Sequence, residues 1–282
     1  MISRHRTWAI GIAVLVWTAG PAPAQGRGQG AAPAGPPPPI ERLPDGKPNL
    51  QGVWAAVLPG SLSLTNPVNQ ADSFEGTARR VPSRIIDPPD GLVPYQPWAA
   101  ARQKQQAFDH DWPTRPEHID TQHRCLLSGV PRLYTIVPPF KIVQTPGQVV
   151  FTWEQYHAYL VIPLDGRPHV PSSVTLWMGD GRGRWEGDTL VVDTTSVRGA
   201  RLTYLGDFYS DNVHVLERFR LADRDNLVYE ATMIDPTVFT RPWTIRVAHR
   251  RRPPDEFWES ACYEGMVNPE EFLLKKAPPR PQ

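Results

Sequence analysis

Three groups of residues in this chain could carry chemistry. Between Val213 and Leu221, strand alternation puts Val213, Val215, Glu217, Phe219 and Leu221 on one face and His214, Leu216, Arg218 and Arg220 on the other. Glu217 thus falls among apolar neighbours. A carboxyl there titrates high and can act as a general acid or base, with His214 and Asp211 nearby at the strand's start. The structural alternative pairs Glu217 with an arginine of the next strand, such as Arg246, and leaves His214 in water.

The second group is Glu154, Tyr156, His157 and Tyr159, followed beyond a turn by Asp165, Arg167 and His169. His157 and Tyr159 share a face and suit proton transfer or hydrogen bonding to a sugar or phenol, though both are also ordinary sheet-surface residues. The third group is His110, His118 and His123 with Asp109, Asp111 and Asp120. Their spacings match neither HExxH nor an EF-hand loop, and no Cys-His zinc pattern occurs, so no metal is expected. Aromatic residues give a more general indication. Trp153, Tyr156, Tyr159, Trp177, Trp185 and Tyr229, with Tyr204, Trp243 and Trp258, are enough to line a cavity for a flat apolar ligand or a sugar ring, or else to fill a β core.

The elements that position these residues are strands. From Lys141 onward, short alternating apolar runs are punctuated by turn residues. Lys141–Gln144 and Val149–Trp153 flank Pro146-Gly147. Tyr156–Ile162 follows. Gly183–Trp185 and Thr189–Thr194 flank Glu186-Gly187-Asp188, and Val213–Leu221 and Leu227–Ile234 flank a polar turn. Trp243–Arg250 and Phe257–Tyr263 complete the series. Gly179–Gly183 reads as a flexible loop, and residues 55–140 as a long Pro-rich excursion with one short helix, Trp98–Asp109, preceded by Pro97. These signals predict an all-β fold with minor helix: an antiparallel meander closed as a barrel, or alternatively a β-sandwich.

Composition narrows the class. In 282 residues, 30 Lys+Arg stand against 29 Asp+Glu, so no nucleic-acid or polyanion partner is indicated, and 33 Pro with 21 Gly exclude a helical bundle. Residues 1–24 carry Arg4 and Arg6, an apolar run Trp8–Trp17 and the small-x-small sequence Ala22-Pro23-Ala24, the pattern of a cleaved secretory signal. The apolar run falls short of the roughly 20 residues needed to span a bilayer. Residues 25–43 form a Gly/Pro-rich tether, 44–274 a single domain, and 275–282 a disordered tail. The expected location is periplasmic or secreted, without stable membrane insertion. In that oxidising setting, Cys125 and Cys262 are expected to form a disulfide.

Four stretches carry a resemblance: Pro44–Trp54 (PDGKPNLQGVW), Ile142–Gly147, Gly183–Thr194 (GRWEGDTLVVDT) and Tyr229–Trp243. Together they resemble a family of exported bacterial proteins without an assigned activity. The resemblance covers Pro44 to about Gly265. Near the end, relatives often read Cys-His-Glu-Gly where this chain has Cys262-Tyr263-Glu264-Gly265, which removes a metal role for that segment. Leu50-Gln51-Gly52-Val53-Trp54 also resembles the Gly-x-Trp start of lipocalin-like barrels, in which the Trp closes the barrel floor.

There is no GxSxG elbow, SxxK, Walker loop or GxGxxG, so acyl-hydrolase, nucleotide and nicotinamide chemistry lose support. The leading expectation is an exported β-barrel protein binding a small aromatic or carbohydrate-like molecule in an aromatic-lined cavity. The alternative is a lyase, isomerase or hydrolase of the same fold, working through His157, His214 and Glu217 without an organic cofactor. A tethered scaffold is a third. The sequence does not set the oligomeric state.

Overall fold

The computed structural model describes residues 39–60, 63–65, 82–199 and 201–262. The segments read from the sequence as an export signal (1–24) and a tether (25–43, as far as residue 38), and the chain from residue 263, including 275–282, lie outside them.

Alternating apolar residues interrupted by turn formers give ten strands and one α-helix among the described residues. The strands are β1 (Gly52–Ala56), β2 (Ile85–Asp87), β3 (Phe140–Thr145), β4 (Gln148–Trp153), β5 (Tyr159–Pro163), β6 (Asp180–Glu186), β7 (Thr189–Thr195), β8 (His214–Asp223), β9 (Asn226–Ile234) and β10 (Trp243–Arg252). The helix, α1, spans Pro97–Asp111 with proline in its first turn, where the missing N–H costs no hydrogen bond. All pairings are antiparallel, in the order β5-β4-β3-β1-β10-β9-β8-β7-β6, and β2 pairs with β10 off this path.

The sheet is nearly closed into a barrel. Its two ends, β5 and β6, meet through side chains: Ile162 and Leu164 lie over Gly181 and Gly183, and a β-carbon at Gly183 would stand 2.6 Å from each. This explains why the glycine run at 179–183 is mostly strand rather than the expected loop. Pairing with β7 fixes its backbone, and the missing side chains admit the neighbouring edge. At the other side of the fold, Trp54 is fully buried, donates from Nε1 to the Leu50 carbonyl (2.9 Å) and is covered by the Arg251 guanidinium at 4.2 Å.

Two further expectations are corrected. Tyr156 and His157 are not strand; they form the tight turn joining β4 to β5, both at positive φ (58° and 53°), with Ala158 N–H bonding to the Gln155 carbonyl. Phe257–Tyr263 forms no named strand over its described residues. Instead this segment makes an isolated bridge between Ser260 and Gln155, and its backbone follows the β4–β5 turn because Cys262 is tied to Cys125 by a disulfide. No helix among the described residues is long and apolar enough to cross a membrane.

The alternation expected for Val213–Leu221 is observed in β8, with Val215, Glu217, Phe219 and Leu221 buried. The barrel centre is filled with aromatic rings. Tyr134, from a short 3-10 turn (Arg132–Tyr134) of the Pro-rich excursion, stands 4.4 Å from the Tyr229 ring and 5.2 Å from those of Phe140, Trp153 and Phe219. Its carbonyl accepts a hydrogen bond from His249 Nε2 (2.8 Å). Because this ring completes the core from outside the sheet, Tyr134→Ala is expected to destabilise the fold by about 3–5 kcal/mol, the range for deleting a buried aromatic. Urea denaturation measures it, and a loss below about 1 kcal/mol would mean that the excursion does not complete the core.

Candidate functional site

The three residues expected to be catalytic occupy three different places. Glu217 lies inside the barrel, accepting hydrogen bonds from Thr194 Oγ1 of β7 (2.7 Å) and Tyr229 OH of β9 (2.8 Å). Burial pushes its carboxyl up to about 7, against the lowering effect of these two bonds. The expected arginine partner is not there: Arg246 faces outward and pairs with Glu230 at 2.7 Å. His214, on the same strand as Glu217, faces the opposite side of the sheet. His157 is exposed in the β4–β5 turn, 3.1 Å from Glu259.

On that outer face His214 belongs to a network that sequence reasoning did not assemble. Its Nε2 lies 2.7 Å from Asp193 Oδ1, and His169 Nε2 lies 3.2 Å from the same oxygen. His169 Nδ1 is 2.9 Å from Asp180 Oδ2, and Asp180 pairs with Arg182 at 2.6 Å. Asp193 sits within the GRWEGDTLVVDT stretch, but its histidine partners come from a loop and from the next strand.

The expected ligand-binding residues likewise do not line one cavity. Trp153 and Tyr229 are in the barrel core, and Tyr134 fills the space they line. Tyr156 OH donates to the Gln122 carbonyl, Tyr159 is exposed on β5, Trp177 lies beneath Arg198 (4.8 Å), and Trp185 beneath Lys47 (5.7 Å). The histidine-rich group comes together only in part, with the His110 and His123 rings stacked at 6.4 Å. His110 and His123 stack with Tyr204 (5.2 and 5.5 Å), His118 contacts Arg115 and Asp109, and Asp120 binds Arg132. Among the described residues no three His, Cys, Asp or Glu side chains are placed to hold a metal ion.

A different pocket lies beside the barrel. Its wall is built from three segments: Arg102 and Gln106 on α1, Glu117 to Arg124 in the excursion, and Gly199 to Tyr209 in the connection between β7 and β8. The volume is about 150 Å³. The segments meet because Gly206, at φ +86°, lies against α1, where a β-carbon would stand 2.6 Å from the Gln103 carbonyl. Phe208 then packs under the Arg102 guanidinium at 4.9 Å. Arg201 donates to Gln106 Oε1 (3.2 Å) and to the carbonyls of His118 (3.2 Å) and Glu117 (3.5 Å). Burial depresses its guanidinium below the ordinary arginine value. Three of the lining residues each keep one polar atom, Gln106 Nε2, Thr121 Oγ1 and Arg124 Nε, buried away from the cavity and without a hydrogen-bond partner among the described residues. The pocket left no sequence signal, because its arginines lie far apart along the chain and in no recognisable pattern.

No family model matches the chain, and no curated protein matches it. Solved structures of the fluorescent protein UnaG, as wild type and as a single-residue mutant, align with 16% and 15% identity. Each alignment covers 41% of this chain and 72% of that chain, with TM-scores of 0.25 and 0.26. The barrel assignment rests on strand pairing and not on this likeness.

The buried carboxyl makes stability depend on pH. Glu217 is raised from 4.5 to about 7 in the fold, so the stability it contributes is full below about pH 4.5 and is lost as pH rises through about 7. Burial lowers His249 and His110 from 6.5 to about 4, so their contributions are instead lost as pH falls from about 6.5 towards 4. Glu217→Gln removes only the first loss. Relative to wild type, its stability is expected to rise by about 1–3 kcal/mol between pH 5 and pH 8, measured by urea denaturation. The same difference at both pH values would mean that Glu217 ionises in the fold as it does in water.

Proposed function

We propose that the protein is an exported β-barrel protein that binds a small molecule in the pocket between α1 and the Gly199–Tyr209 connection. One observation carries the binding reading: Arg102, Arg124 and Arg201 all line one small cavity, and among the described residues none of the three is ion-paired with a carboxylate. Guanidinium groups without a carboxylate partner are complementary to a ligand that brings a hydrogen-bond-accepting or negative group. Export is supported by the signal-like pattern at residues 1–24 with its cleavage site after Ala24, and by the family resemblance; together they favour a periplasmic or secreted location. The disulfide between Cys125 and Cys262 suits the same compartment.

A fragment screen by protein-observed NMR tests the binding reading. Ligands are expected to shift resonances of Gln106, Thr121 and Phe208, and Arg124→Gln is expected to weaken them about tenfold. Fragments that shift only residues elsewhere would overturn the choice of pocket.

The His214–Asp193–His169 network favours a second reading, acid–base catalysis without an organic cofactor, as a lyase, isomerase or hydrolase. Asp193 would orient His214 through Nε2, the role a carboxylate plays beside a general-base histidine. On a molecule returned by the screen, conversion followed by mass spectrometry is expected to fall about 100-fold or more in Asp193→Asn. Recovery of the molecule unchanged after incubation with the wild type would remove this reading.

A further inference from the structure

We infer that the chain just beyond the disulfide docks on the β4–β5 turn, with Phe272, Leu273 and Leu274 lying over Trp258, Tyr159 and Val137. This surface is separate from the side pocket, and the inference does not depend on that pocket holding a ligand.

The first support is where exposed apolar side chains gather. Among the described residues the three most exposed large apolar side chains are Trp258 (70%), Val137 (68%) and Tyr159 (67%). Singly exposed apolar residues are ordinary, but these three belong to one end of the barrel. The Trp258 N–H donates to Glu154 Oε1, just before the turn. The Glu154 N–H donates to the carbonyl of Pro139 (3.2 Å), two residues beyond Val137. Tyr159 opens β5 two residues after His157, and His157 lies 3.1 Å from Glu259, the neighbour of Trp258.

The second support is where the chain is held. Ser260 bridges Gln155, and its carbonyl accepts the Tyr156 N–H (3.2 Å), so residues 258–260 run alongside the turn until the disulfide to Cys125 fixes Cys262. Trp258 is four residues before Cys262 and so within about 14 Å of it, while the stretch from Cys262 to Phe272 can reach about 35 Å. Phe272-Leu273-Leu274 is the longest apolar run after the disulfide. Tied this close to an apolar surface, it meets that surface at high effective concentration and without the cost of bringing two molecules together.

The third support is charge. Lys275 and Lys276 directly follow the apolar run, and Asp255, Glu256 and Glu259 flank Trp258. Arg252 engages Glu256 and His157 engages Glu259, while Asp255 is exposed and pairs with no cation among the described residues. An acidic rim around an apolar surface suits an apolar run that ends in two lysines.

Hydroxyl-radical labelling of the full-length purified protein, read residue by residue by mass spectrometry, tests the inference. In Phe272→Ser/Leu273→Ser, Trp258 and Tyr159 are expected to label about threefold or more faster than in wild type, because the docked form loses most of its apolar contact. Trp98, 48% exposed on α1, is expected to label equally in both and reports that the fold is intact. Lys275→Glu/Lys276→Glu, which leaves the apolar run in place, is expected to give a smaller increase that disappears at high salt. Equal labelling of Trp258 and Tyr159 in wild type and the serine variant, with Trp98 unchanged, would overturn the inference. Protection of Trp258 that grows with protein concentration, together with a dimer in sedimentation, would also overturn it, since the occupant would then be a second copy of the chain.

Discussion

The structure depends on one ion pair, Asp120 with Arg132, both side chains fully buried. The two guanidinium nitrogens bind the two carboxylate oxygens at 3.0 and 2.9 Å, and Asp120 also accepts the Gln122 N–H. Burial alone would raise the Asp120 carboxyl, but the Arg132 charge and these bonds outweigh it and hold the carboxyl below its usual range. Replacing both partners by apolar residues could be neutral, but leaving either one alone would cost about 3–5 kcal/mol. The pair therefore acts by fixing position more than by adding stability. Arg132 opens the turn that delivers Tyr134 into the barrel, and its Nη1 bonds to the Arg201 carbonyl, tying the β7–β8 connection to the excursion. Asp120 precedes Thr121, so the wall of the side pocket is set by the same contact.

Filling the barrel centre determines where a ligand can go. Tyr134, Tyr229, Phe140, Phe151, Trp153 and Phe219 pack ring against ring there, and burial favours the uncharged forms of Glu217, raised to about 7, and of His249, lowered to about 4. A ligand would have to displace an aromatic side chain that arrives from the excursion. The excursion thus has two consequences: it closes the interior, and where it meets α1 and the β7–β8 connection it leaves a small cavity of about 150 Å³.

Much of the sheet was legible because strand signals are local. Alternation in β8 and β9, Pro146-Gly147 between β3 and β4, and Gly187 at φ +59° between β6 and β7 each act within a few residues. Misreadings came where a long-range contact overrode local preference. The glycines of β6 are strand because β5 must approach them, and Tyr156 and His157 adopt the left-handed region although neither favours it. That turn is supported by Tyr156 N–H bonding to the Ser260 carbonyl and Tyr156 OH bonding to Gln122, contacts spanning about a hundred residues in one direction and thirty in the other. The Glu217 environment was half legible. Its face followed from periodicity, but its partners Thr194 and Tyr229 depended on register between strands.

The side pocket was invisible for a different reason. A catalytic motif is readable when one element presents several groups at fixed spacing, but here each segment contributes one or two groups and the tertiary fold makes the set. Arg102 and Gln106 share a face of α1 because they are four residues apart, and this is the only local regularity in the wall. Arg201 enters because Gly206 lets its connection lie on the helix, and Thr121 and Arg124 enter because Asp120 is clamped by Arg132. None of those causes is a property of the residues that line the cavity. A fold that concentrates three guanidinium groups at one small volume bears their mutual repulsion and the burial of at least one of them. The bonds of Arg201 to two backbone carbonyls offset that only in part, since a carbonyl dipole does not neutralise a charge. The carboxylate of the wall, Glu117, is exposed to solvent, and that distinguishes the pocket from the Asp120–Arg132 pair a few residues away, where both partners are buried.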